Sequence, residues 1–326
     1  PPAPPRGPAG SGGKGQGRGA GEGPFVYRPA TPWFAAAINP TLKQLTPPWF
    51  DALVDHWTGR DDVPPFYAIN IAASFAVAML LLAYLRLFVP SRWIRLLLVA
   101  AGMAQCHAPT RFVYFYPVNV EPLFLACFVA ALLVIERTRG ESPWRAMPLL
   151  VTLVFAGTLC RESMLLAPVM FIAAHRPLAV WRARPSMVAV LALPLLAWVG
   201  ATIVTRLIAV PSNDYQWWTE PLAMIRTKPV FTWLLAWFFA FGPATIAIIA
   251  IGWRRVRQFL STRPHLVVGL VATGALAYAG GTDTERILGW CAPIVYVLAG
   301  VAIEQERRLL GRLPLLCAVL AVTQAV

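Results

Sequence analysis

Apolar runs of near-span length recur along this chain, separated by short polar or basic stretches. The first clear run covers residues 66–89 and is uncharged up to Arg86. Shorter runs follow at 93–106 and 122–135, the latter starting near Val118, and then longer ones at 186–210, 230–252, 265–281 and 287–303. A last run begins at Leu313 and reaches Val326. A helix needs about 20 apolar residues to cross a bilayer, and repetition at this length exceeds what a soluble core uses. The pattern predicts an all-α, polytopic transmembrane bundle over residues 66–326, with Pro194 as a kink in its span. One run departs from it. Residues 148–174 are long enough to cross but carry Arg161, Glu162 and Ser163 in their middle. A charge at the centre of a span costs at least ~2.5–3.5 kcal/mol, so the segment must turn back there or face a polar cavity. The expectation is a hairpin of helices 146–160 and 164–174, with Arg161 and Glu162 at its tip.

The chain before residue 66 reads differently. Residues 1–24 are Pro, Gly, Ala, Ser and a few charges, a composition that cannot build a core, and are expected to be disordered. Residues 25–65 mix polar and apolar positions and hold Trp33, Trp49 and Trp57. Short helices on the membrane surface are expected there, with the indole rings at headgroup level.

Composition agrees with the pattern: 58% of residues are hydrophobic and 13% charged. The net charge of +13 would suit nucleic acid if it were pooled on one domain, but it is not. The loops 86–95, 136–145, 175–184, 253–264 and 304–312 hold sixteen arginines and four acids, whereas everything else after Pro24 holds nine bases and ten acids. If alternate connections share a side, the arginine-rich set is cytoplasmic by the positive-inside rule. Trp93, Trp144, Trp181 and Trp253 each sit beside an arginine in that set, as belt residues do. About nine crossings follow, and the grouping closes only if the chain reverses at Arg161. Nucleic acid is then excluded as a partner. The five cysteines lie in or beside apolar runs without a CxxC, which suits core positions rather than disulfides or zinc.

The same topology puts Glu121, Arg161, Glu162, Asp214, Glu220, Asp283, Glu285 and Arg286 on the external side. Glu121 opens a helix behind an aromatic break holding Arg111, Tyr114 and Tyr116. There it is either an interfacial acid stabilised by the helix dipole or a carboxylate that receives a substrate hydroxyl. Arg161 suits a phosphate, with Glu162 orienting it, unless the two simply close a structural ion pair. Asp283 and Arg286 share a face if a helix begins near Thr282, where the alternative is a cap with surface charges. Asp61 and Asp62 form the only DD pair; it could take a divalent cation, but it sits among Gly59, Pro64 and Pro65, where a solvated turn is expected. No P-loop, GxGxxG, HExxH or GxSxG is present. Physically, the external acids and bases suit a substrate with an anionic headgroup and a lipid tail.

Four pieces in this order resemble the bacterial GT-C polytopic membrane glycosyltransferases, including mannosyltransferase-like members: Tyr27-Arg28-Pro29 with Pro32-Trp33, Tyr116-Pro117 with Glu121-Pro122, the Arg161-Glu162 hairpin, and Gly280-Gly281-Thr282-Asp283-Thr284-Glu285-Arg286. The resemblance covers residues 25–303. It implies a hexosyltransferase of the bacterial plasma membrane, with its active site on the external side and a polyprenyl-phosphate sugar as donor. It also implies a glycan, lipid or protein acceptor and inversion at the anomeric carbon. On that reading the catalytic acids are Glu121, Glu162 and Asp283, and Arg28, Arg111, Tyr116, Arg161 and Arg286 bind substrate or phosphate. A divalent cation is compatible with these acids, although no motif demands one. The family's usual base lies in the first external loop, and before Tyr27 this chain offers only Glu22. The expectation is that an upstream helix and loop precede it in the parent protein. Two other classes stay open: a transporter or flippase for a lipid-linked or anionic solute, which predicts inverted repeats with matching broken helices, and an inactive scaffold of envelope assembly.

Overall fold

The structure is a computed structural model that describes residues 20–21, 30–45, 47–49, 52, 64–104, 121–139, 143–175, 185–208, 210–211, 229–279 and 284–305. Apart from a two-residue parallel bridge between Ala20–Gly21 and Val210–Pro211, the regular elements among the described residues are helical. The helices are α1 (Ala30–Leu45), α2 (Pro64–Leu85), α3 (Arg92–Ala104), α4 (Glu121–Thr138), α5 (Met147–Cys160), α6 (Leu166–Ala174) and α7 (Pro185–Ile208). They continue with α8 (Val230–Phe241), α9 (Pro243–Ile251), α10 (Trp253–Ser261), α11 (Pro264–Ala279), α12 (Thr284–Leu288) and α13 (Ala292–Gln305). Three stretches are long and apolar enough to cross a membrane: Pro65–Leu85, Ala189–Ile208 and Thr284–Glu304. Counting each of two bent pairs as one span raises this to five. By length and composition the described residues therefore supply three to five candidate spans, and several further apolar legs are shorter.

The bundle is apolar outside as well as inside. Ile71, Phe75 and Met79 on α2, Leu196, Val199, Ile203 and Leu207 on α7, and Val267 and Val271 on α11 are all exposed. They recur three or four residues apart, which makes outward apolar stripes of the kind lipid covers. In its most apolar 18-residue window, Thr284–Glu304 has 89% of its residues buried, against 39% and 22% for the other two candidate spans, and so forms the core around which the rest pack. Small residues bring its neighbours close. A Cβ on Gly252 would lie 2.4 Å from the Ala302 Cβ, and one on Gly300 would lie 2.5 Å from Val89. Such contacts are how helices associate where hydrophobic burial gives no preference.

The described parts of the arginine-rich loops gather at one end of the bundle. The Ser91 N–H donates to Glu304 at 2.6 Å, Phe88 meets Phe259 edge-on, and Arg263 stacks over Phe259. Glu136, at the far end of α4 from Glu121, takes His265 at 2.8 Å and Arg139 and Arg263 each at 3.4 Å. His175 lies against the Thr138 backbone at this same end. The chain therefore does reverse at Arg161: α5 leaves the Glu136 end, the tip reaches Glu121, and α6 returns to His175. The two arms are splayed, since α5 packs on α4 and α7 while α6 packs chiefly on α11.

Two expectations need correction. Residues 230–252 do not form one straight span. Instead α8 and α9 bend by 98° at Gly242, whose φ of 76° a glycine adopts without strain, and Pro243 starts the second helix. Residues 253–264, read as a basic loop, contain helix α10, set at 108° to α11. Its Val256 is buried with Phe259 and Leu260 partly covered beside it, a helical stripe that outweighs the arginines around it. The N-terminal tail apart from residues 20–21, the pair Asp61 and Asp62, Trp57, and the run from Leu313 lie outside the described residues.

Candidate functional site

Three separated segments build the polar site. The first is the start of α4. Glu121 is its first residue and is buried, with 1% of its surface exposed. The second is the tip between α5 and α6. Arg161 is a single extended residue (φ −162°, ψ 130°) whose N–H donates to the Gly157 carbonyl and whose carbonyl accepts from the Met164 N–H. The helix thus breaks with its backbone bonds satisfied, as burial requires. The third segment is α12 with the 3-10 turn that follows it, which carries Arg286 and Trp290.

These segments meet at Glu121. The Arg161 guanidinium forms an ion pair with Glu121 and lies 4.4 Å from the centre of the Trp290 ring. Trp290 in turn packs edge-on against Phe124, one turn along α4 from Glu121. Arg286 approaches the same carboxylate oxygen, with its Nε at 3.8 Å. The two cations differ in access: Arg161 is almost wholly enclosed, whereas Arg286 keeps 23% of its side-chain surface exposed. Glu162 follows Arg161 in the chain and is half-buried, and its backbone carbonyl accepts the Trp198 indole N–H at 2.8 Å. That bond fixes the tip against α7.

A partly open apolar cleft lies between α2, α3, α4 and the start of α13. Leu125 and Val129 line it from α4, and Gly289, Pro293 and Tyr296 line it from the central helix. Leu125 and Val129 follow Glu121 at four and eight positions, and Gly289 and Pro293 follow Arg286 at three and seven. These are same-face spacings, so the cleft continues the faces that carry the acid and the accessible arginine.

Of the residues singled out from sequence, Glu121, Arg161 and Arg286 come together, and Glu162 is the next residue after Arg161. Arg28, Arg111, Tyr116 and Asp283 lie outside the described residues. Arg161 is tied to Glu121 on α4, a connection that sequence adjacency to Glu162 did not suggest. Trp290, Phe124 and Trp198 were missed. Trp290 had a signal, since it stands four residues after Arg286 on a helix, but nothing in sequence pairs Trp198 with the tip. His265 had no visible partner and proves to be buried against Glu136. Among the described residues no group of three or more His, Cys, Asp or Glu could hold a metal, and Cys127, Cys160 and Cys291 are free thiols.

No family model, no curated protein and no solved structure matches this chain.

Proposed function

We propose that this chain carries the membrane-embedded site of a GT-C-type glycosyltransferase, which moves a sugar from a polyprenyl-phosphate donor to a hydroxyl acceptor on the non-cytoplasmic face of a bacterial plasma membrane. The observation that carries the reading is the place of Arg286. It is the accessible member of a buried charge trio, and it stands on the same helix faces as an apolar cleft. A lipid phosphate needs this combination, a forked cation at the interface with an apolar groove leading away from it. The grouping of arginine-rich loops at the opposite end supports placing that end in the cytoplasm. The reversal at Arg161 supports about nine legs between the two faces, some of them shorter than a full span.

In this reading Glu121 positions the cations. Arg286 stabilises the negative charge on the phosphate oxygen as the glycosidic C–O bond breaks. Glu162, half-buried and next after Arg161 in the chain, takes the acceptor hydroxyl proton while that oxygen bonds to the anomeric carbon from the opposite face, which inverts it. The test is sugar transfer in proteoliposomes from a panel of radiolabelled polyprenyl-phosphate sugars. Transfer by the wild type, reduced about 10²–10⁴-fold in Glu162→Gln with donor binding kept, is expected for a general base. Unchanged turnover in both Glu162→Gln and Arg286→Gln removes the site.

The bend at Gly242 favours a second reading, a transporter or flippase for an anionic lipid. With the break at Arg161 it gives the bundle two discontinuous helices, a feature of transporters. Movement of a fluorescent lipid phosphate between leaflets, without sugar transfer, decides for it.

A further inference from the structure

We propose that α10 is an anionic-phospholipid binding site on the arginine-rich end of the bundle, holding headgroup phosphates with Arg254, Arg255 and Arg257. The geometry that carries this is independent of the transfer reading. Helix α10 lies at 108° to α11, one of the bundle's legs, so it runs across the end of the bundle. Its inner face is anchored by Val256, which is fully buried, and its axis is held by the Glu136 clamp just beyond its C-terminus: Arg263 and His265 pair with Glu136, and Arg139 donates to the Thr262 carbonyl. Its outer face presents the three arginines to the surroundings, with no acid among residues 252–264.

Two further observations set its depth and charge. Trp93, Trp144 and Trp253 are all more than half exposed, and they start α3, precede α5 and start α10 at this one end. Tryptophan in such a ring marks the headgroup level of a bilayer. Among the described residues the acids nearby are already engaged: Glu136 by three cations and Glu304 by the Ser91 N–H. Among the described residues Arg254, Arg255 and Arg257 make no ion pair. Three guanidiniums fixed at headgroup depth on a rigid helix match phosphate diesters of net negative charge, each presenting oxygens to a forked donor. Zwitterionic lipids present the same phosphate with a cation attached and gain less.

The test titrates the purified full chain in neutral detergent with phosphatidylglycerol or phosphatidylcholine and follows bound lipid by native mass spectrometry. The wild type should prefer phosphatidylglycerol. A basic residue near an anionic surface contributes about fivefold in affinity, so the R254Q/R255Q/R257Q variant should lose most of that preference. The corresponding triple lysine variant should keep the larger part of it. The single R255Q variant, expected to lose about fivefold, provides the reading if the triple variant does not fold. Equal binding of both lipids by the wild type, or a preference unchanged in the glutamine variants, overturns the site. So does competition by millimolar inorganic phosphate, which would mean a free-anion site.

Discussion

At the scale of residues, the molecule places its most costly group where three segments meet. Removing one partner of a buried ion pair leaves the other charge uncompensated, at a cost of about 3–5 kcal/mol, whereas replacing both by apolar residues of similar volume is often close to neutral. Arg161→Met should therefore destabilise strongly, and Glu121→Met with Arg161→Met should recover much of the loss. Reversible unfolding in mixed micelles measures both. Equal stability of the single variant and the wild type would show that Arg161 is not carrying a buried countercharge. The sequence put Arg161 and Glu121 on one side, but their direct ion pair was not legible in it. The adjacent Glu162 drew attention to a local pair, and the true partner lies on α4. What could be read was the cost itself, since an arginine and a glutamate inside an apolar run needed a polar destination, and that destination exists.

Helices were legible where an apolar run had an evident start and stop. The expected hairpin arms at 146–160 and 164–174 correspond to α5 and α6 within two residues, because Arg161 interrupts the run sharply. The break at Gly242 was hidden because Phe and Trp continue the apolar pattern up to the glycine and Ile takes it up soon after Pro243. Helix α10 was hidden because four arginines masked the stripe of Val256, Phe259 and Leu260. Close packing gives a prediction at this scale. A Cβ on Gly252 would press on both the side chain and the backbone of Ala302, and backbone cannot move aside cheaply. Gly252→Ala should cost about 1–3 kcal/mol as overpacking. Gly200→Ala meets nothing within 4 Å and sits inside α7, so it should gain up to about 1 kcal/mol from helix propensity. Thermal unfolding of the two variants checks the pair, and a Gly252→Ala protein as stable as Gly200→Ala would contradict the packing.

For the molecule as a whole, the two ends differ in kind. One collects Glu136, Arg139, His265, Arg263 and the exposed arginines of α10, and the other holds the Glu121 trio, whose helix faces run on to line an apolar cleft. Sidedness follows if the first end is cytoplasmic. A cysteine introduced at Arg255 should react with a membrane-impermeant maleimide only after cells are opened, and one at Glu285 should react in intact cells. The reverse pattern would invert the topology and place the site inside. In the proposed function Arg286 receives a lipid phosphate whose tail occupies the cleft. The most direct measurement is the affinity of the full chain in nanodiscs for a polyprenyl phosphate compared with the uncharged polyprenol. Hydrogen bonds to a charged group contribute about 1.5–3 kcal/mol, so the phosphate should bind about 10–100-fold more tightly, and Arg286→Gln should remove that margin. Equal affinity for the two lipids in the wild type, or a margin that survives Arg286→Gln, would mean that Arg286 does not hold the phosphate.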